Sequence, residues 1–347
     1  MKKHWVTNLR VLATLSVILL HAAGFGSMHV GKIPITDWWI CHIINVFGRF
    51  AVPVFVMLSG YLLIGKYEAL GSFLKKRLTR IFIPFLIWTL IYMIWANFKG
   101  FPAEKTPWTI GDFIKKILTG GGGAAGHLWF VYMLLGIYAF TPVISRWIKG
   151  AEALKVHTQE ISYFLILWLV SNVAYSLVNQ LLGFEIKFEL RYFSGFVGYF
   201  ILGYWLGNRD IKLSNSLLIL LFLASWAITA YICYVVSWNS GKYSYDFTDY
   251  LSPTVMLMSV SIFLFFKKAC DTEFLPKIMT ELDITSYGVY LIHFLILRYL
   301  SRNYQINYTW IHPLLGITVQ FIITTLISYV IVKAISKIPK AGNWIVG

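Results

Sequence analysis

Ten long apolar stretches follow one another along the chain, at residues 6–26, 38–64, 78–99, 127–147, 160–182, 191–207, 215–238, 248–267, 284–300 and 311–334. Most reach the roughly 20 residues that a helix needs to cross the hydrocarbon core of a bilayer, and the sixth falls short of that length. The apolar residues run on without the polar alternation of a barrel strand. A segment in lipid must also satisfy its own backbone, so the predicted elements are helices. The loops between them are too small for a second domain. The pattern therefore predicts an all-α integral membrane protein: a polytopic bundle of about ten transmembrane helices in a single transmembrane domain over residues 1–347.

Composition agrees. Hydrophobic residues make up 58% and charged residues 13%, against about 45–50% and about 25% in a soluble domain. The 14 Trp suit the aromatic belts at membrane–water interfaces. A net charge of +15 would point a soluble chain toward nucleic acid. Here the cations sit in short loops between apolar runs, so the partners they imply are membrane lipids and not nucleic acid. They gather at Lys2 and Lys3, at residues 75–80, at Arg146 and Lys149, at Arg209 and Lys212, and at Lys333 and Lys337. All of these loops fall on the side of the N-terminus, which puts both termini in the cytoplasm. The opening "MKK" and apolar run invite a cleaved signal peptide, but Arg10 interrupts it and further spans follow. Cys41, Cys233 and Cys270 show no disulfide framework and no metal spacing, so no metal centre is expected. The longest loop, about residues 100–126, ends in "GGGGAAG" and reads either as a slack connector or as a segment that moves to admit substrate.

Ionisable residues inside these stretches are costly in lipid and are candidates for chemistry. Arg10 and His21 lie eleven residues apart in the first stretch. That spacing puts them on one helix face, about 16 Å apart along the axis, with Arg10 near an interface and His21 near midplane. The plain alternative for His21 is a neutral ring bonded between helices. Arg49 lies at similar depth on the antiparallel neighbour, where it needs an anionic partner or ligand. Pro53 and the Ser59–Gly60 pair loosen that helix. Arg77 and Arg80, three residues apart in "KKRLTRIFIP", read as ordinary topology charge or as a clamp for phosphates. His127 and Trp129 open the fourth stretch and His293 sits midway along the ninth; these three are candidates for substrate binding.

The run "NLRVLATLSVILLH", with its Arg and His separated by ten residues, resembles the signature of membrane acyltransferase family 3. "VPVFVMLSGYLL", "RLTRIFIPF", "HLWFVYMLLGIY", "GYFILGYWLG" and "SYGVYLIH" also resemble family blocks, in the expected order and over nearly the whole chain. The resemblance implies a ten-helix enzyme of the bacterial inner membrane that moves an acyl group, usually acetyl, from coenzyme A thioester to a carbohydrate hydroxyl. It implies that Arg10 and His21 are essential and that Arg77 and Arg80 hold the donor. Many members carry an added extracytoplasmic esterase-like domain. This chain lacks that stretch and resembles the stand-alone sugar O-acetyltransferases.

The residues suggest a route. Phosphates of acetyl-CoA, the expected donor, meet Arg77, Arg80 and Arg10, and the thioester reaches His21. His21 then acts as general base on a carbohydrate or glycolipid acceptor. Arg49 stabilises the developing oxyanion, a role read from its depth and charge. No acid in the first two spans orients His21; Asn45 or a carbonyl is the candidate. The rival reading is a secondary transporter or flippase, which predicts paired broken helices and repeats. A third is a sensor that has lost activity.

Overall fold

The computed structural model describes residues 3–66, 68–98, 111, 123–153, 157–174, 195–339 and 341–347. Most of the 100–126 loop lies outside the described residues, as do 175–182 and 191–194 of the fifth and sixth apolar stretches. Lys2, one of the cations that set the topology, also lies outside them. Among the described residues there is no strand, and helix occupies part of every predicted stretch. Seven helical segments are long and apolar enough to cross a membrane by length and composition. The ninth stretch misses that standard although its helix, Pro276–Tyr304, has 29 residues. It carries Lys277, Glu281, Asp283, Arg298 and Arg302, which dilute its hydropathy.

Helix α1 (His4–Ser27) is the centre of the bundle. It packs on α2 (Ile35–Phe47), α3 (Ala51–Leu63), α10 (Pro253–Ala269), α11 (Pro276–Tyr304) and α12 (Pro313–Ser336). Small residues let α1 and α2 approach closely. A Cβ on Gly26 would stand 2.3 Å from Cys41 Sγ, and one on Gly48 would stand 2.7 Å from the Ser16 carbonyl. The register is antiparallel, so the residues after α2 lie beside the middle of α1.

The second stretch is not one helix. A 3-10 turn at Gly48–Phe50 separates α2 from α3. Pro53 accounts for the break: it has no N–H for the Arg49 carbonyl, and its ring crowds that carbonyl. The helix loosens before Pro53, at Arg49 itself, and not at Ser59–Gly60.

Helix α3 meets α8 (Val197–Gly207) along a glycine seam. A Cβ on Gly60 would fall 1.7 Å from the Phe200 carbonyl, and one on Gly203 would fall 2.0 Å from the Met57 carbonyl. This seam explains Gly203 and Gly207 of "GYFILGYWLG", the latter against the Tyr61 ring, while Gly198 makes room for the Trp168 ring. Only Gly permits backbones this close, and small-residue faces are how helices associate in lipid. α4 (Leu70–Arg77) runs through a π-turn at Leu78–Phe82 into α5 (Ile83–Phe98). α6 (Trp129–Ala153) and α7 (His157–Trp168) complete that side. α9 (Asn215–Ser240) packs on α10, and the short α13 (Gly342–Val346) is tied to α5 by Trp88 Nε1 donating to the Ile345 carbonyl at 2.9 Å.

Candidate active site

α1 and α11 run in the same direction and meet at two levels. At one, Arg10 Nη1 donates to Asp283 Oδ1 at 2.5 Å and Thr7 Oγ1 donates to Asp283 Oδ2 at 3.1 Å. At the other, the rings of His21 and His293 stand 5.4 Å apart. The intervals are eleven residues on α1 and ten on α11, about 15–16 Å of helix on each. Two parallel helices of near-equal interval thus join a charged level to a histidine level.

The charged level is a basic mouth. A cavity of about 350 Å³ is lined by Arg10, Arg77, Arg80, Asp283, Tyr287 and Tyr290. It adjoins one of about 630 Å³ that includes Lys3, Arg10 and Lys66, and one of about 340 Å³ that includes Lys66, Lys76, Arg77 and Arg80. The carboxylates lining them are Asp283 and Glu68, so the cavities carry a strong excess of cations. Lys76 bonds Glu68, and that bond, with the nearby Arg77, holds the Glu68 carboxyl below its ordinary range. The Arg77 guanidinium lies over Phe73 at 4.9 Å and Tyr138 at 5.5 Å. The two rings fix its plane, which a flexible ammonium could not reproduce. The π-turn follows directly, with Tyr287 Oη donating to the Ile81 carbonyl at 2.8 Å. Arg77 and Arg80 both face the same cavity across it.

Tyr290 connects the levels. It lines the basic cavity, and its hydroxyl donates to the His127 carbonyl. Behind it His21, His127 and His293 form a triangle, with His127 6.3 Å from His21 and 5.2 Å from His293. All three rings pack on Phe294. His127 and His293 are buried, while His21 is half-buried and reachable. Both ring nitrogens of His127 and Nε2 of His293 lack a hydrogen-bond partner among the described residues. Buried polar atoms without partners cost free energy, and their concentration at one point is the mark of a site built to receive something.

Arg49 approaches from the α2–α3 break. Its Nη2 donates to Asn45 Oδ1 at 2.9 Å, and its guanidinium lies 5.9 Å from the Tyr250 ring. Asn45 does not orient the His21 ring. Its Nδ2 donates to the Leu20 carbonyl at 2.9 Å, and its Oδ1 also accepts from Tyr243 at 3.2 Å. It is a hub that fastens Arg49 to the backbone beside His21. Trp129 stands apart from the histidines. It stacks near Tyr250 at 5.5 Å and Phe196 at 5.8 Å, as part of an aromatic wall shared with Arg49.

The structure thus brings His21, His127 and His293 together, collects Arg10, Arg77 and Arg80 around one cavity, and puts Arg49 and Trp129 on either side of Tyr250. Asp283, Tyr290, Tyr243 and Arg298 were not singled out from sequence. Asp283 stands ten residues before His293, an echo of the Arg10–His21 spacing that was there to be read. Arg298 lies inside α11 with its guanidinium 4.7 Å from the Phe294 ring. Among the described residues no group of three His, Cys, Asp or Glu is arranged to hold a metal.

Comparison with known proteins gives a consistent result. A family model described as an acyltransferase domain matches residues 3–333. The chain is similar to a Bacillus subtilis (strain 168) protein named "Putative membrane-bound acyltransferase YfiQ", at 27% identity over 312 residues, covering 84% of this chain and 80% of that protein. No solved structure matches.

Proposed function

The chain belongs to membrane acyltransferase family 3, and from that premise we propose that it is an O-acetyltransferase of the bacterial inner membrane. On this reading it takes acetyl from cytoplasmic acetyl-CoA and places it on a hydroxyl of a cell-envelope carbohydrate or lipid-linked sugar. The observation that carries it is the two-level pairing of α1 with α11: a basic cavity at Arg10–Asp283 and a histidine cluster at His21–His293, about 16 Å apart. A donor that is polyanionic at one end and reactive at the end of a thin arm fits such a site.

In this mechanism Arg77 and Arg80 take the phosphates as planar forks, with Arg10 at the inner edge of the same cavity. The arm passes Tyr290 and delivers the thioester to His21. The acceptor hydroxyl gives its proton to His21, its oxygen attacks the thioester carbonyl, the C–S bond breaks, and the thiolate leaves with the proton. Arg49, held by Asn45, faces the negative charge that builds on the carbonyl oxygen. His127 and His293 line the reacting centre. The aromatic wall of Trp129 and Tyr250 offers flat apolar faces to a sugar ring. The positive-inside bias puts the basic mouth on the cytoplasmic side, where acetyl-CoA is made.

The test uses purified protein in liposomes with isotope-labelled acetyl-CoA and lipid-linked sugars extracted from envelopes. Wild type transfers label to the lipid fraction, and His21→Ala does not. Equal labelling by both proteins would remove His21 from the mechanism.

A further inference from the structure

Three histidine rings meet in the bundle, and that of His293 is held by a backbone carbonyl close enough to place its proton. His293 Nδ1 lies 2.6 Å from the Tyr290 carbonyl oxygen. A carbonyl oxygen only accepts, so Nδ1 carries the proton, and in the neutral ring Nε2 is left with a lone pair. That Nε2 is buried without a partner among the described residues, in a side chain 0% exposed. It is an acceptor of fixed direction with nothing yet to accept from.

His21 has the complementary need. It is the reachable ring of the three, yet Asn45, the nearest polar side chain on α2, is committed to the Leu20 carbonyl, Arg49 and Tyr243. No described hydrogen bond selects which His21 nitrogen bears the proton. Its ring stands 5.4 Å from that of His293 with planes 34° apart. Such a pair closes by a small side-chain shift, and catalytic hydrogen bonds often tighten only when substrate binds.

We infer that His293 is the positioning residue for His21: its Nε2 accepts the N–H of one His21 nitrogen, which leaves the other as a lone pair facing the acceptor hydroxyl. The inference rests on the reading of His21 as general base. It gives His293 the part that a carboxylate plays in a hydrolase triad, with the Tyr290 carbonyl standing behind it. When His21 takes the hydroxyl proton, its positive charge is shared through a hydrogen-bonded ring before the proton leaves on the coenzyme A thiolate. A neutral partner suits this depth, where a buried carboxylate would be expensive. His127 fits the role less well: its ring stands 6.3 Å from that of His21 with planes 78° apart, farther and more steeply turned than His293. His293 cannot be the base itself, because it is wholly enclosed.

The experiment compares full-length wild type, His293→Gln and His293→Asn in liposomes, with labelled acetyl-CoA as donor. A Gln amide oxygen can stand where Nε2 stands and accept from His21. An Asn amide reaches only the Nδ1 position; it keeps the Tyr290 bond but offers His21 nothing. The expected result is a drop in kcat of about 100-fold for His293→Asn, with KM for acetyl-CoA within about twofold of wild type. His293→Gln recovers at least about tenfold of the loss. Equal rates for the Gln and Asn variants, or an unchanged kcat in His293→Asn, would overturn the inference. If wild type transfers no label, the functional reading has failed instead. The inference is then decided by ¹⁵N NMR of histidine-labelled protein. It requires a protonated Nδ1 and bare Nε2 on His293, and an N–H···N coupling between the two rings that disappears in His293→Asn. A protonated Nε2 on His293 would refute it whatever the activity.

Discussion

Asn45→Ala tests how the site is held together. Asn45 is 3% exposed and makes three bonds: to the Leu20 carbonyl at 2.9 Å, from Arg49 at 2.9 Å and from Tyr243 at 3.2 Å. Interhelical hydrogen bonds in membranes average about 0.6 kcal/mol by pairwise measurement, so three intact bonds amount to about 2 kcal/mol. Truncation does more than remove them. It strands a carbonyl, a hydroxyl and a cation, each costing about 1–3 kcal/mol if no water replaces the amide. The expected loss therefore lies between about 2 kcal/mol, where water replaces the amide, and about 9 kcal/mol, where nothing does. Arg49 also loses its anchor beside His21, so kcat falls while KM for the donor does not. Reversible unfolding in mixed micelles reads the first effect, and initial rates with labelled acetyl-CoA read the second. The control is Asn45→Asp, which keeps an acceptor for Arg49 and Tyr243 but gives up the Leu20 bond. A loss below about 1 kcal/mol together with a normal kcat would show that the hub reasoning is wrong.

Other outcomes follow from the same geometry. Arg77→Ala raises KM for acetyl-CoA about tenfold, equivalent to about 1.4 kcal/mol, and leaves kcat within about twofold; Arg77→Lys recovers little, because the ammonium loses the plane set by Phe73 and Tyr138. A kcat effect without a KM effect would move Arg77 out of the donor site. Gly203→Ala drives a methyl against the Met57 backbone, 2.0 Å from its carbonyl, and costs about 1–3 kcal/mol of overpacking; an unchanged melting curve would contradict the seam. Glu68 has its carboxyl held below the ordinary range by Lys76. The stability it contributes is therefore present above about pH 4.3 and lost as the pH falls through the depressed value. Glu68→Gln should flatten that part of the pH–stability curve.

Much of the architecture was legible because lipid imposes one rule. A continuous apolar run of sufficient length favours helix, and the described parts of these runs are helical. The Arg10–His21 face was legible because a helix repeats with a fixed angle, so two costly residues on one face announce themselves. Their partners were not. Arg10 meets Asp283 and His21 meets His293 across more than 270 residues of chain, and no local pattern encodes which helix lies beside α1. The break at Gly48–Phe50 was half legible. Pro53 was noticed, but its effect falls on the carbonyl four residues earlier, which is why Arg49 and not Ser59 sits at the bend. The π-turn that carries Arg80 left no sequence mark. Asn45 was considered for the wrong partner: its spacing puts it beside His21, but its amide bonds the backbone and holds Arg49.

The central claim is that this membrane protein acetylates an envelope carbohydrate through His21. Mass spectrometry of envelope glycans and lipid-linked sugars tests it most directly, in cells expressing wild type, His21→Ala or no protein. The account predicts a species carrying one added acetyl group in the wild-type cells alone. The same species at equal abundance in the His21→Ala cells would contradict it.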